Sequence, residues 1–175
     1  MKQTQLPRIR PMVPEDRCMV EPFFDQMSTH TREFFNENDC NRNGLLACFD
    51  PEHYGKFAFG VRRNFIAVAP DDQGQDQIAG LVFAWDLDLK TPSIGVCVAE
   101  NWKGRHLGKK LMEYIMDYCA QLHKGAIFLT VHPANTAAQS LYRSCGFRHI
   151  GKEHNGDLLF CLPFPDTPPA EDGTL

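Results

Sequence analysis

The 175-residue sequence predicts one mixed α/β domain, with antiparallel strands first and a strand–helix–strand crossover after them. Three observations predict it. Residues 64–99 hold strand-like apolar runs separated by turn residues. From Leu107 to Leu122 the apolar residues change to helical spacing. The short apolar run 126–131 then returns the chain to the sheet, and the right-handed rule for such crossovers makes the strands flanking the helix parallel.

Taken in order, residues 8–12 read as a short strand stopped by Pro14. Residues 15–36 carry Met19, Val20, Phe23, Phe24, Met27, Phe34 and Phe35 at helical spacing, with Ser28 and Thr29 as a break and a fresh cap. The segment 36–60 is rich in Asn, Asp and Gly, and a short helix is expected near Pro51. Strands follow at 64–69 and 77–86, joined through the turn-forming PDDQGQ, and at 93–99 after Thr91-Pro92. In the next helix Leu107, Leu111, Tyr114, Ile115, Tyr118 and Leu122 form one stripe, with Lys110, Glu113, Asp117 and Gln121 facing away. The continuous apolar run 126–131 is expected to be covered on both faces. Residues 135–144 read as a helix stopped by Gly146, where glycine suits the left-handed position after the last turn. Residues 147–151 and 158–162 read as a closing pair of strands. The domain is expected to occupy residues 1–163, and the proline-rich acidic stretch 164–175 is expected to be a disordered tail.

Composition narrows the function. Hydrophobic residues at 43% and charged residues at 23% are ordinary globular usage, and a net charge of −4 argues against a nucleic-acid partner. The longest apolar run, IAGLVFAW, is too short to span a bilayer, so no membrane partner is expected. MKQTQLPRIR lacks a secretory apolar core. Seven scattered cysteines fit reduced thiols and a cytoplasmic location. No C-x-x-C or H-E-x-x-H spacing occurs, so no metal is expected.

The stretch NWKGRHLGKKL, residues 101–111, carries the main functional signal. Lys103, Arg105, Lys109 and Lys110 surround Gly104 and Gly108 just where the helix begins. Backbone N–H groups from Arg105 to Lys109 lack partners within a helix that starts near Leu107. The helix dipole favours negative charge at that end, so phosphate is the natural guest. A nucleotide-binding P-loop is disfavoured, because Gly104 and Gly108 enclose three residues and Lys109 is followed by Lys110. The three spaced glycines of a dinucleotide fold are missing too. The alternative is a solvated basic helix start without a ligand. In the preceding strand, Ile94, Val96 and Val98 share one face while Gly95, Cys97 and Ala99 share the other. A face of small residues admits either a closely packed helix or a slim ligand arm.

These segments resemble the GCN5-related N-acetyltransferases (GNAT family), best over residues 92–164. Their cofactor motif, Gln/Arg-x-x-Gly-x-Gly/Ala, falls on Lys103-Gly104-Arg105-His106-Leu107-Gly108, with departures at Lys103 and His106. Their second motif is matched at every fixed position by Asn135-x-x-Ala138-x-x-Leu141-Tyr142-x-x-x-Gly146-Phe147. The resemblance implies a GNAT-type single domain: a mixed central sheet flanked by helices, with a parallel pair at the cofactor cleft. It implies acetyl-CoA as cosubstrate, held by Cys97, Val98, Lys103, Gly104, Arg105, His106, Leu107, Gly108, Lys109, Asn135, Ala138 and Tyr142. Val98 N–H would polarise the thioester carbonyl. Tyr142 would protonate the leaving sulfur.

The resemblance implies a primary amine as acceptor, on a small molecule or a peptide, which attacks directly in a ternary complex. Where some relatives carry a glutamate base, twelve residues before the tyrosine, this chain has Thr130. Asp86 and Asp88 are the candidate bases, with His132 and Glu100 behind them. The acceptor pocket implied by the family draws on His30, Phe34, Phe35 and residues 153–155. A non-catalytic acyl-CoA-binding module is the alternative, because of His106 and Thr130; a Cys/His metal protein is a third reading. Either a monomer or a homodimer is expected.

Overall fold

The computed structural model describes residues 6–35, 45–46, 49, 56–57 and 60–165. Strand β1 is Arg8–Pro11, followed by helices α1 (Arg17–Asp25) and α2 (Thr29–Phe34). The short strands β2 (Lys56–Phe57) and β3 (Gly60–Val61) form a small separate pair. Then come β4 (Arg63–Pro70), β5 (Asp76–Trp85), β6 (Ser93–Val98), α3 (Leu107–Gln121), β7 (Ala126–Val131), α4 (Thr136–Ser144), β8 (Arg148–Lys152) and β9 (Leu158–Pro163). The expected helix near Pro51 and residues 166–175 of the expected tail lie outside the described residues.

The main sheet runs β1-β4-β5-β6-β7-β9-β8. Every neighbouring pair in it is antiparallel except β6–β7, which is parallel as the crossover predicts. The β4–β5 hairpin turns as its composition requires. Asp71 Oδ1 accepts from the N–H groups of Gln73 at 2.8 Å and Gln75 at 2.9 Å. In the middle of the sheet, residues 78–84 of β5 are buried whichever way they point, and both α1 and α3 pack on this strand. Helix α3 comes close because Gly80 has no side chain: a Cβ there would lie 2.7 Å from Leu111 Cδ1. Arg10 in β1 reaches both oxygens of buried Asp16, at 2.6 and 2.7 Å, and so fixes the first strand to the start of α1.

Two expectations need correction. The buried face of α3 is broader than the expected stripe and ends earlier: Met112 and Cys119 are fully buried, whereas Leu122 is 43% exposed beyond the last turn. Strand β7 is not covered on both faces, because Ile127, Leu129 and Val131 point inward while Thr130 is exposed.

The end of α4 matches its sequence closely. Gly146 has φ 92°, which lets Phe147 N–H donate to Tyr142 O at 3.1 Å and Gly146 N–H donate to Arg143 O at 3.0 Å. This is the two-bond helix stop with its usual apolar contact, here between the Phe147 and Tyr142 rings, 6.1 Å apart. The stop therefore holds the backbone and ring of Tyr142. A Cβ at Gly146 would meet Leu162 Cδ1 at an ordinary 3.5 Å, so the cost of a side chain is conformational. Gly146→Ala is expected to lower unfolding stability by about 1–2 kcal/mol, read from the midpoint of urea denaturation. An unchanged midpoint would refute this account of the helix stop.

Candidate active site

The site begins where the sheet stops pairing. Strands β6 and β7 share one register pair, Ser93 with Phe128, next to the bond from Phe128 N–H to Pro92 O at 3.2 Å. Beyond it they diverge, leaving the edge of β6 towards β7 unpaired along the rest of the strand. Ala99 N–H donates to Ala79 O on the β5 side at 2.9 Å. Successive strand residues direct their N–H groups to opposite edges, so Val98 N–H points into the cleft. Val96 and Val98 are half-buried, in keeping with an open edge.

The small face of β6 is not a ligand groove. The Phe83 ring occupies the space beside Gly95, with Cζ 2.2 Å from where a Cβ would stand, and Cys97 and Ala99 are buried. The small residues exist to admit that ring. What is open to a ligand is the backbone edge, including Val98, rather than the Cys97 side chain.

Helix α3 starts at Leu107, as predicted, and its first turn is uncapped. His106 is the N-cap residue and makes no side-chain cap bond, whereas Ser28 caps α2 and Asn135 caps α4. Lys110 N–H is bonded to His106 O at 3.3 Å, so Leu107, Gly108 and Lys109 come too early in the helix for their N–H groups to find an acceptor within it. His106 has φ 60° and ψ 12°, the left-handed conformation usually left to glycine. The histidine that departs from the family motif therefore preserves the turn. Gly108 brings this helix start against α4: a Cβ there would lie 3.2 Å from Leu141 Cδ2 and 3.7 Å from Val98 Cγ2.

The expected cations divide. Arg105 is exposed, its guanidinium 4.9 Å from the centre of the Trp102 ring. Lys109 and Lys110 are exposed on the first turn, with Lys109 4.0 Å from Glu113. Lys103 turns away from the helix start: its ammonium is 2.9 Å from Glu100 Oε2 and also bonds to Thr31. Gly104, at φ 72°, has open space around it.

From α4, Tyr142 inserts a buried ring near Phe147 and Phe160. Burial, reinforced by the Cys97 and Cys145 thiols nearby, pushes its hydroxyl pKa well above the ordinary value, so the phenol stays protonated through neutral pH. Asn135 accepts Ala138 N–H at 3.1 Å and so caps α4; Ala138 is half-buried on the helix that carries Tyr142.

Asp86 is not brought to this site. It follows Trp85, which pairs with Ser93, five positions before Val98 on β6. At strand rise that is about 16 Å from the Val98 N–H. Asp88 is exposed at the same end and accepts Val61 N–H at 3.3 Å. Glu100 is nearer but occupied. It accepts from Ser28 N–H at 3.1 Å, Ser28 Oγ at 2.7 Å and the Thr31 hydroxyl. Burial opposes its charge, but the bonds from Thr31, Ser28 and Lys103 outweigh burial and hold its pKa down to about 2. A carboxylate so held is a poor proton acceptor at neutral pH. The link between α2 and the turn after β6 went unseen in the sequence, where Ser28 signals only a local cap.

An open strand edge thus leads into an uncapped helix start with Arg105, Lys109 and Lys110 exposed around it. Residues 21–147 match the sequence model of the Acetyltransferase (GNAT) family, and the chain belongs to that family. It is 37% identical over 64 residues to the N-alpha-acetyltransferase RimI of Mycobacterium tuberculosis, a match covering 37% of each protein. A second match, to an uncharacterized Mycobacterium leprae protein, covers 15% of that protein's length. Among solved structures it is similar to yncA of Salmonella typhimurium, described with its cofactor acetyl-CoA, at TM-score 0.69 and 16% identity over 97% of this chain and 99% of that one. It is also similar to the spermidine/spermine N-acetyltransferase SpeG of Vibrio cholerae, at TM-score 0.64 and 19% identity over 91% and 95% of the two chains. At such identities the structures show a shared fold. Among the described residues, no helix is long and apolar enough to cross a membrane and no group of three or more His, Cys, Asp or Glu side chains could hold a metal ion.

The Glu100 cluster makes a testable claim with a definite sign. Its folded pKa lies below the unfolded value, so its contribution to stability is present above about pH 4.5 and is lost as pH falls towards 2. Wild type is expected to exceed Glu100→Gln in denaturation midpoint by a constant margin from pH 7 to 5. The margin should shrink below pH 4.5; a margin that grows on acidification would contradict the assignment.

Proposed function

We propose that the protein is an acetyl-CoA-dependent N-acetyltransferase that moves an acetyl group to a primary amine by direct attack in a ternary complex. The observation that carries this reading is the open Val98 edge beside the uncapped start of α3, where Gly108 approaches both Val98 and Leu141, the neighbour of Tyr142 on α4. The diphosphate of the cosubstrate sits on the amides of Leu107, Gly108 and Lys109, with Arg105, Lys109 and Lys110 supplying positive charge. Its slender arm runs along the β6 edge. Val98 N–H then holds the thioester oxygen as negative charge develops on it, and Tyr142 gives its proton to the departing sulfur.

The amine must lose a proton before it attacks, at a cost of about 4–5 kcal/mol for a lysine-like amine at pH 7. Thr130 is no base in that range, Asp86 stands at the far end of β6 and Glu100 is saturated. With these described groups set aside, solvent is the proton acceptor that this reading assigns. The binding-only alternative loses one of its two grounds, because His106 keeps the turn that a glycine would make.

The direct test separates binding from chemistry. Tyr142→Phe keeps the ring and removes the acid, so it is expected to lower kcat by about 10²–10⁴-fold while the acetyl-CoA Kd stays within error. Equal losses in kcat and affinity would assign Tyr142 to binding. Tight acetyl-CoA binding without coenzyme A release across a panel of amines would favour the binding module.

A further inference from the structure

Helix α2 bridges the open end of the β6–β7 cleft. At its start, Ser28 and Thr31 are tied to Glu100, two residues beyond β6. At its end, the Phe34 ring lies 5.4 Å from the ring of His132, one residue beyond β7, and 4.7 Å from that of His30. His132 thus stands exposed at the mouth of the cleft, against a half-buried aromatic wall. Its Nδ1 accepts Ala134 N–H at 3.2 Å. An imidazole that accepts at Nδ1 carries its proton on Nε2. Nε2 is then a donor and cannot serve as a base.

We propose that His132 binds the acceptor, its Nε2–H donating to a carbonyl oxygen next to the incoming amine while the acceptor's apolar part lies on Phe34. The substrate class is an α-amino amide, such as an amino-acid amide or the first residue of a peptide. This inference rests on the acetyltransferase reading for the identity of the incoming amine. The charge at the mouth agrees with it. Among the described residues, Glu100 is already engaged by Lys103 and the two hydroxyls, and Glu33 is the one exposed carboxylate of α2. Among the described residues, α2 and its ties thus offer a polyamine a single exposed carboxylate, fewer than its several ammonium groups would pair with. A neutral N–H donor beside a ring instead suits an amine with a carbonyl neighbour.

The test uses leucine amide and spermidine as probes. Calorimetry on the coenzyme A-loaded protein reads acceptor binding, and coenzyme A release from acetyl-CoA reads turnover. Leucine amide is expected to bind wild type more tightly than spermidine does. His132→Ala should weaken it by roughly 3- to 10-fold, the range of one neutral hydrogen bond. Phe34→Ala should weaken it as well. His132→Gln, which can put an amide N–H near the same place, should recover most of the loss, and the acetyl-CoA Kd should not move in any variant. The rising limb of the kcat/KM pH profile should survive in His132→Ala. Loss of that limb, tighter binding of spermidine, no binding of leucine amide to wild type, or unchanged leucine amide affinity in His132→Ala would each overturn the proposal. If leucine amide binds through His132 yet no probe releases coenzyme A, the acetyltransferase reading fails and the binding assignment stands.

Discussion

Two parallel strands that pair once and then part govern the rest of this molecule. If β6 and β7 stayed in register beyond Ser93 and Phe128, the Val98 N–H would be spent inside the sheet. The divergence leaves that donor on a backbone edge without requiring a gap in the core, because the faces of β6 are filled separately. Phe83 covers Gly95 on one side, and α3 with Leu141 closes on Val98 from the other. What the divergence leaves open is therefore a backbone edge between packed faces.

The polar groups around this opening are set up by ordinary helix chemistry. Helix α3 leaves its first amides free by having no side-chain cap, while α4 uses Asn135 to satisfy its own and spends its C-terminal turn on holding Tyr142. Burial keeps the tyrosine protonated. Glu100 draws Lys103 away from the helix start and ties α2 across the cleft. Helix α2 is thus anchored to the turn after β6.

Much of this was legible in local sequence. Ser28 and Asn135 announced their caps, Gly146 its helix stop, and PDDQGQ its hairpin, because each acts on neighbours a few residues away. The uncapped helix start at Leu107 was legible for the same reason. What depended on distant packing was not. The small face of β6 suggested a groove, since nothing in residues 93–99 tells that Phe83 will lie over Gly95. Asp86 suggested a base because it is close in sequence to β6; only the antiparallel register shows it at the wrong end. Lys103 looked like a phosphate contact until Glu100 and Thr31 claimed its charge, and Thr31 lies 72 positions away in the sequence.

The central claim concerns backbone N–H groups, so the most direct measurement is of those groups. Isotope-labelled protein would be titrated with acetyl-CoA while the backbone amide resonances and their hydrogen-exchange rates are followed. The amides of Val98, Gly108 and Lys109 should move downfield and exchange more slowly as the ligand saturates, while Ala99, already bonded to Ala79, should keep its slow exchange. Saturation that leaves the Val98, Gly108 and Lys109 amides unshifted and unprotected would contradict the account.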